Sequence, residues 1–303
     1  MSIKVENVTK LYGRQAALED VSFEINAGEI VGFIGPNGAG KSTMMKIITG
    51  FIPQSKGNVF VNGLNVIENQ IEVKRNIGYL PENNPLYLNM FVKEYLHFVA
   101  GLYKLGKNSG SRINEMIKTT GLEPEKNKKI GALSKGFRQR VGIAQALIHD
   151  PAVLILDEPT SGLDPNQIAE IRDLIKEIGK NKTVFLSTHI MQEVEAICKR
   201  TIIISKGRIV ADAQTSEIHS DIVQKQTILV EFNVCIEENL LKNIEGVDSL
   251  AKIDDKNWLL ETSLTTDLRE QVFNFAVENK IKVLSMQKKE KRLEEVFREL
   301  TIK

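Results

Sequence analysis

The stretch GPNGAGKST, residues 35–43, decides the fold of this chain. Residues 29–34 before it predict a buried strand, and residues 41–48 predict a helix that stops at Gly50. Glycines let backbone N–H groups turn towards phosphate oxygens, and the helix N-terminus adds partial positive charge. Lys41 is expected to reach the β- and γ-phosphates, and Ser42 to bind Mg²⁺. The spacing predicts a phosphate-binding loop made of Gly35, Pro36, Asn37, Gly38, Ala39, Gly40, Lys41, Ser42 and Thr43.

Four more short elements follow in order: LSKGFRQR at 133–140, VLILDEP at 153–159, SGLD at 161–164 and STH at 187–189. The apolar run before Asp157 and Glu158 predicts a strand that ends in two carboxylates. One carboxylate at such an edge suits Mg²⁺, and the second is placed to act on an attacking water. The ordered set outlines a complete site for binding and cleaving ATP.

Apolar periodicity predicts strands that alternate with helices, which favours an α/β fold with a mainly parallel sheet. Residues 85–150 are expected to be mostly helical. Asp164 is a candidate N-cap for a helix with Pro165 at its first turn. Beyond residue 225 the order β-α-β-β-α-β, with a final helix at 293–300, predicts a small ferredoxin-like α+β domain.

Composition excludes several classes of protein. The 40 Lys and Arg against 39 Asp and Glu leave a net charge of +1, which argues against a nucleic-acid binder. Cys198 and Cys235 show no paired spacing, so we expect two buried free thiols rather than a disulfide or zinc site. The first residues lack the apolar core of a signal peptide, and no apolar run approaches the ~20 residues of a membrane helix.

At this point the chain resembles the ATP-binding subunits of ABC transporters over roughly its first 220 residues. The resemblance implies an ATPase domain at 1–220 with a mixed sheet core, an antiparallel β subdomain and a helical subdomain at about 85–150. The small accessory domain would then occupy 225–303. ATP and Mg²⁺ are the implied ligands.

The family's roles carry over to matching positions in this sequence. By resemblance Asp157 is the metal-side carboxylate, Glu158 the general base and His189 the sensor of the γ-phosphate. Tyr12 lies where such proteins place an aromatic ring that stacks on adenine. The remaining histidines have no such context and are expected to be structural.

The segment LSKGFRQR is similar to the family signature LSGGQ, with Lys135 for a glycine and Phe137 for glutamine. In the family this motif caps ATP that is held by the opposite subunit, so Ser134 and Gly136 imply a homodimer or a paired ATPase subunit. Asp164 would bridge the two subunits by analogy, although its capping role competes with that reading.

Glu82 in the sequence YLPE stands where most family members have a glutamine that touches Mg²⁺. A carboxylate cannot donate the amide hydrogen bond, so we expect Glu82 to act as a metal-side sensor. Residues 83–91 just after it are the expected contact with a membrane partner. Glu82 and LSKG forms are both typical of subunits with ABC-2-type membrane partners.

The resemblance therefore implies the ATPase subunit of an ABC-2-type exporter, cytoplasmic and peripheral on the inner face of the membrane, with a separate transmembrane permease. The stretch from 133 to 167 is similar to subunits associated with gliding motility, and also to multidrug and sodium-export subunits. The alternative is a non-transport ABC ATPase that acts on a soluble complex, but the fused ATPase pair or long coiled coil typical of those proteins is missing. A P-loop GTPase is disfavoured because no NKxD motif is present.

Overall fold

The computed structural model describes residues 1–216, 226–262 and 267–289. The chain divides into two compact units, Met1–Thr215 and Ser216–Lys303. The boundary predicted between residues 220 and 225, and the final helix predicted at 293–300, both fall outside the described residues. Within the described ranges, no helix is long and apolar enough to cross a membrane.

A four-stranded antiparallel sheet opens the first unit. Its strands are β1 (Ile3–Tyr12), β2 (Gln15–Ile25), β4 (Lys56–Val61) and β5 (Leu64–Asn65), in the order β2-β1-β4-β5. Asn62 and Gly63 form the turn between β4 and β5. Both residues adopt positive φ angles, of 49° and 79°, which asparagine and glycine tolerate.

The second sheet of this unit positions the site. Its strands are β3 (Ile30–Ile34), β6 (Ile77–Leu80), β7 (Val153–Asp157), β8 (Thr183–Thr188), β9 (Arg200–Ser205) and β10 (Arg208–Gln214). The order is β10-β9-β3-β8-β7-β6, parallel except for β10 at the edge. The carboxyl ends of β3, β7 and β8 therefore meet at one edge, which is where such sheets bind ligands.

The two sheets pack through aromatic rings. Phe23 of the antiparallel sheet lies 5.9 Å from Phe33 and 5.6 Å from Phe185 between ring centroids. These rings belong to an apolar core that also contains the buried face of the helix after the glycine loop, α1 (Lys41–Ile48). The loop is thus anchored on both sides by the main core.

The remaining helices of this unit are α2 (Gln70–Asn76), α3 (Val92–Leu102), α4 (Ser109–Thr119), α5 (Lys135–Leu147), α6 (Pro165–Gly179) and α7 (Met191–Ile197). Helices α3, α4 and α5 form the helical part expected at 85–150. Tyr95 of α3 donates a 2.5 Å hydrogen bond to Gln145 of α5, and Arg112 of α4 donates to the carbonyl of Leu147 at 2.7 Å.

The second unit contains β11 (Gln226–Phe232), α8 (Glu238–Leu241), β12 (Ser249–Lys252), β13 (Asn257–Thr262), α9 (Arg269–Glu278) and β14 (Val283–Lys289). Its sheet has the order β12-β13-β11-β14 and is antiparallel throughout. This is the element order of a ferredoxin-like unit. Trp258 lies in its core.

The predicted α/β class with a parallel sheet core is confirmed. One expectation about the cysteines is wrong: Cys198 is buried but Cys235 is exposed. Cys235 follows β11 in an irregular segment, and its sequence neighbours gave no sign of that position. Burial, and then the charge of Glu193, raise the pKa of the Cys198 thiol.

Candidate functional site

The glycine loop forms one wall of an open cleft at the carboxyl edge of the main sheet. Gly40 caps α1 with a φ of 112°, and a Cβ there would lie 2.6 Å from the carbonyl oxygen of Ala17. Both facts require glycine at this position. The cleft is lined by Ala17, Asn37, Gly38, Gly40, Lys41, Ser42, Thr43, Glu82, Glu158, Ser161 and His189.

The carboxylate pair lies at the end of β7, beside β8. Oδ1 of Asp157 accepts a hydrogen bond from Ser42 at 3.1 Å and another from Ser187 at 2.5 Å. The Ser187 hydroxyl also accepts from the backbone N–H of Glu158 at 3.1 Å. The structure therefore brings together Ser42 of the loop and Asp157, two residues that the sequence assigns to Mg²⁺.

Glu158 contacts two cationic or titratable side chains. Its Oε1 lies 3.5 Å from Nζ of Lys41, and its Oε2 lies 2.8 Å from Nδ1 of His189. An ionised carboxylate only accepts hydrogen bonds, so Nδ1 of His189 is the donor. Lys41 also donates to the carbonyls of Gly35 at 2.7 Å and Pro36 at 3.3 Å. Lys41 and Glu158 are both buried, with 6% and 7% of their surface exposed, which makes the Coulomb attraction between them stronger than between exposed groups.

Glu82 lines the same cleft from the loop after β6. Tyr79 at the end of that strand carries a buried hydroxyl with no hydrogen-bond partner among the described residues. Burial, and then the charges of Asp157 and Glu82, raise the pKa of this hydroxyl. It therefore stays protonated and is available to donate beside two carboxylates.

The donor set of the cleft fits Mg²⁺. Ser42 and Asp157 provide oxygen ligands within hydrogen-bond distance of each other, and Glu82 adds a third oxygen donor to the same cleft. Mg²⁺ keeps several waters and phosphate oxygens, so it needs only one or two protein ligands.

The residues predicted to act across a subunit interface are not part of this cleft lining. Ser134 caps α5 and accepts from the N–H of Phe137 at 3.3 Å. Asp164 caps α6 and accepts from the N–H of Gln167 at 2.9 Å. The two caps are neighbours, because a Cβ on Gly136 would lie 2.7 Å from the Gln167 side chain.

Tyr12 ends β1 with 52% of its surface exposed and does not line the cleft. Lys10 places its ammonium 5.2 Å from the centroid of this ring. The sequence interpretation missed Ala17, Ser161 and Ser187. Ser161 and Ser187 are the first residues of the SGLD and STH motifs, so the motifs themselves could have pointed to these two serines.

Comparison with known proteins shows which family the sequence is similar to. The family model described as ABC transporter matches residues 18–161. The chain is 32% identical to the uncharacterized ABC transporter ATP-binding protein YhcH of Bacillus subtilis, over 99% of this chain and 95% of that protein. It is 38% identical to the bacitracin transport ATP-binding protein BcrA of Bacillus licheniformis, over 69% of each chain.

Among solved structures, the dimeric bacterial ABC transporter cassette MJ0796 is similar. The TM-score is 0.64 at 30% identity, over 70% of this chain and 98% of that chain. ATPase activity and the binding of ATP with Mg²⁺ are characteristic of this family. The chain belongs to the ABC transporter family, as an ATP-binding subunit with that family's ATPase domain.

Proposed function

We propose that this subunit powers export through a separate membrane-spanning permease, and that ATP is hydrolysed in the cleft between the glycine loop and the ends of β7 and β8. The contact of Glu158 with both Lys41 and His189 carries the catalytic part of the proposal. Similarity to a bacitracin transport protein supports the export part. The chain would then work at the inner, cytoplasmic face of the membrane, held there by the permease.

In this proposal each side chain has a defined task. The loop N–H groups and Lys41 bind the phosphates, and Lys41 exchanges its carbonyl partners for phosphate oxygens. Ser42 and Asp157 hold Mg²⁺, with Glu82 on the metal side. Bound Mg²⁺ neutralises charge that develops on the phosphate oxygens. Glu158 accepts the proton of the attacking water, and His189 orients Glu158 and senses the γ-phosphate.

A second ATPase subunit completes the site. Ser134 and Gly136 at the start of α5, and Asp164 at the start of α6, are separate from the cleft lining within one chain. A helix N-terminus with a small residue suits phosphate oxygens, so these two helix starts would contact a nucleotide that is bound to another subunit. Similarity to a dimeric cassette supports such pairing. Tyr12, outside the phosphate cleft, would stack on the adenine.

An apolar cluster on the helical part is the proposed permease contact. It consists of Tyr87, Leu88, Phe91 and Phe98, which are 52%, 49%, 45% and 39% exposed. The Tyr87 and Phe98 rings pack 5.5 Å apart between centroids, so the surface is preorganised. Large exposed apolar residues that pack on one another, as Tyr87 and Phe98 do, favour a protein interface at this surface. Three of the four lie within the predicted segment 83–91.

The cargo is a narrower hypothesis. The resemblance of residues 133–167 to gliding-motility subunits, which rests on the sequence pattern alone, favours export in motility. The bacitracin transport relative instead favours transport of an antibiotic. A permease identified by capture would decide between these cargoes through its own sequence.

Affinity capture tests the transport proposal. Tagged Glu158→Gln protein is recovered from detergent-solubilised membranes with and without Mg-ATP, and its partners are identified by mass spectrometry. We expect a multi-span membrane protein, which Tyr87→Ser with Phe91→Ser removes and which Phe273→Ser, a substitution of an exposed residue in the second unit, leaves bound. Recovery of only ribosomal or soluble partners, from membranes that were shown to be intact before they were solubilised, would instead support a non-transport ABC ATPase.

A further inference from the structure

Glu193 is a buried carboxylate that the roles described above do not use. It lies in the first turn of α7 and only 1% of its surface is exposed. A buried carboxylate is costly unless its oxygens accept hydrogen bonds. Glu193 therefore has to be explained by the groups it contacts.

Those groups come from two different segments of the site. Thr160 donates its hydroxyl hydrogen to Oε1 of Glu193, and Thr188 donates to Oε2 at 2.8 Å. Both threonines are buried, with 2% and 0% of their surface exposed. Thr160 follows Glu158 by two residues, and Thr188 directly precedes His189. One carboxylate thus joins the segment after β7 to the segment after β8.

The sheet itself does not fix this part of the chain. The last register pair between β7 and β8 is Asp157 with Ser187, and one further hydrogen bond runs from the N–H of Glu158 to the carbonyl of Ser187 at 3.2 Å. Beyond that point no backbone hydrogen bond among the described residues joins the segments that follow β7 and β8. The side chains of Glu158 and His189 nevertheless lie 2.8 Å apart. The hydrogen bonds of Thr160 and Thr188 to Glu193 connect the two segments just beyond the last β7–β8 pair.

We propose that Glu193 is a positioning residue for ATP hydrolysis, which sets the distance between Glu158 and His189 by holding Thr160 and Thr188 on one carboxylate. This inference rests on the proposed roles of Glu158 and His189. The Thr188 hydroxyl also accepts from the N–H of Ile190 at 3.1 Å, so the bridge fixes the backbone on both sides of His189. A shift of about 1 Å at such a contact is enough to slow the chemical step markedly.

The test uses Glu193→Ala, Glu193→Gln and Thr160→Val in the full-length protein. We expect Glu193→Ala to lower kcat roughly 10- to 100-fold while the KM for Mg-ATP changes less than threefold, since the phosphate loop is untouched. Glu193→Gln retains one carbonyl acceptor and should recover part of kcat. Glu193→Ala combined with Thr160→Val should be no slower than Glu193→Ala alone, because both changes break the same bridge.

A purely structural role gives a different result. It would lower Tm while kcat per bound nucleotide, measured well below Tm, stays at the wild-type value. If Glu193→Ala does not fold, Glu193→Gln and Thr160→Val take its place in the test, because both are close in shape to the native residues. A kcat within twofold of wild type for both of these variants overturns the inference. Glu195→Gln, on the exposed side of the same helix, is the matched control for loss of a charge on α7.

Glu158→Gln separates this inference from the proposed function. If Glu158→Gln turns over normally, the assignment of the general base fails whatever Glu193 does. If Glu158→Gln is inactive and the Glu193 and Thr160 variants are normal, only the positioning role fails.

Discussion

Oε2 of Glu158 lies 2.8 Å from Nδ1 of His189, although 31 positions separate the two residues in the chain. Glu158→Gln keeps the shape of the side chain but removes its ability to take a proton. We expect ATP hydrolysis to fall about 10²- to 10⁴-fold while ATP binding persists. Phosphate release and binding of a fluorescent ATP analogue measure the two properties. Turnover within tenfold of wild type would reassign the base.

The backbone at Glu158 allows a separate test of stability. Its φ is 51°, in the left-handed region that costs a residue with a Cβ about 1 kcal/mol. Glu158→Gly and Glu158→Ala both remove the carboxylate, but only glycine avoids this cost. We expect Glu158→Gly to be more stable than Glu158→Ala by roughly 0.5–1 kcal/mol. Urea unfolding of both variants measures the difference, and the opposite order would mean that the backbone relaxes in solution.

The site was predictable from sequence where strand ends determine it, and not elsewhere. Asp157 ends β7 and His189 directly follows the neighbouring parallel strand β8, so the fold class predicts that both lie at the same edge of the sheet. The sequence interpretation did not find α7, because this helix is seven residues long and too short to show a helical period. Glu193 could not be assigned a role for that reason: its contacts depend on how α7 folds back onto the sheet.

The strand β10 was also missed. Its residues alternate between half-buried and exposed positions rather than buried and exposed ones, because it is the edge strand of the sheet. Ala17 escaped notice for another reason. It lines the cleft through the position of its backbone next to Gly40, which residue type alone does not reveal.

Asp164 has two candidate roles that substitution can separate. Asp164→Ser keeps a side-chain acceptor for the N–H of Gln167, whereas Asp164→Ala loses the cap and should cost about 0.5–2 kcal/mol of stability. Both lose the carboxylate proposed to act between subunits. We expect both to weaken ATP-dependent dimerisation in the Glu158→Gln background, measured by light scattering, and only the alanine variant to lower Tm. Normal dimerisation of Asp164→Ser would leave Asp164 as a cap alone.

Glu82 is expected to affect the metal rather than the nucleotide. It lines the cleft, and loss of a carboxylate beside a bound cation weakens metal affinity by roughly 10-fold. Glu82→Ala should therefore shift the Mg²⁺ activation curve of the ATPase to higher concentration. Glu72→Gln, on the exposed side of α2, is the control. Unchanged Mg²⁺ dependence together with unchanged turnover would rule out a metal-side role.

His149 is expected to make stability depend on pH. Its ring stacks on Tyr103 at 3.8 Å between centroids, and its Nε2 lies 3.0 Å from the carbonyl oxygen of Ile77. Burial lowers the pKa of His149 most, and the positive charges of Lys182 and Arg112 lower it further. The buried Nδ1 has no partner among the described residues. The folded protein therefore favours the neutral ring.

The direction of the pH effect follows from the pH at which the folded and the unfolded state each take up the proton. The unfolded chain takes up a proton on this histidine near pH 6.5, but the folded chain does so only at lower pH. The stability from the neutral ring is thus complete above about pH 6.5 and is lost as the pH falls towards and through the folded pKa.

We expect wild type to lose more stability than His149→Gln between about pH 7.5 and pH 5.5, because the glutamine amide can donate to Ile77 without titrating. Urea unfolding at both pH values measures this, with exposed His97→Gln as the control that should keep the wild-type slope. Equal slopes for wild type and His149→Gln would show that His149 titrates alike in both states.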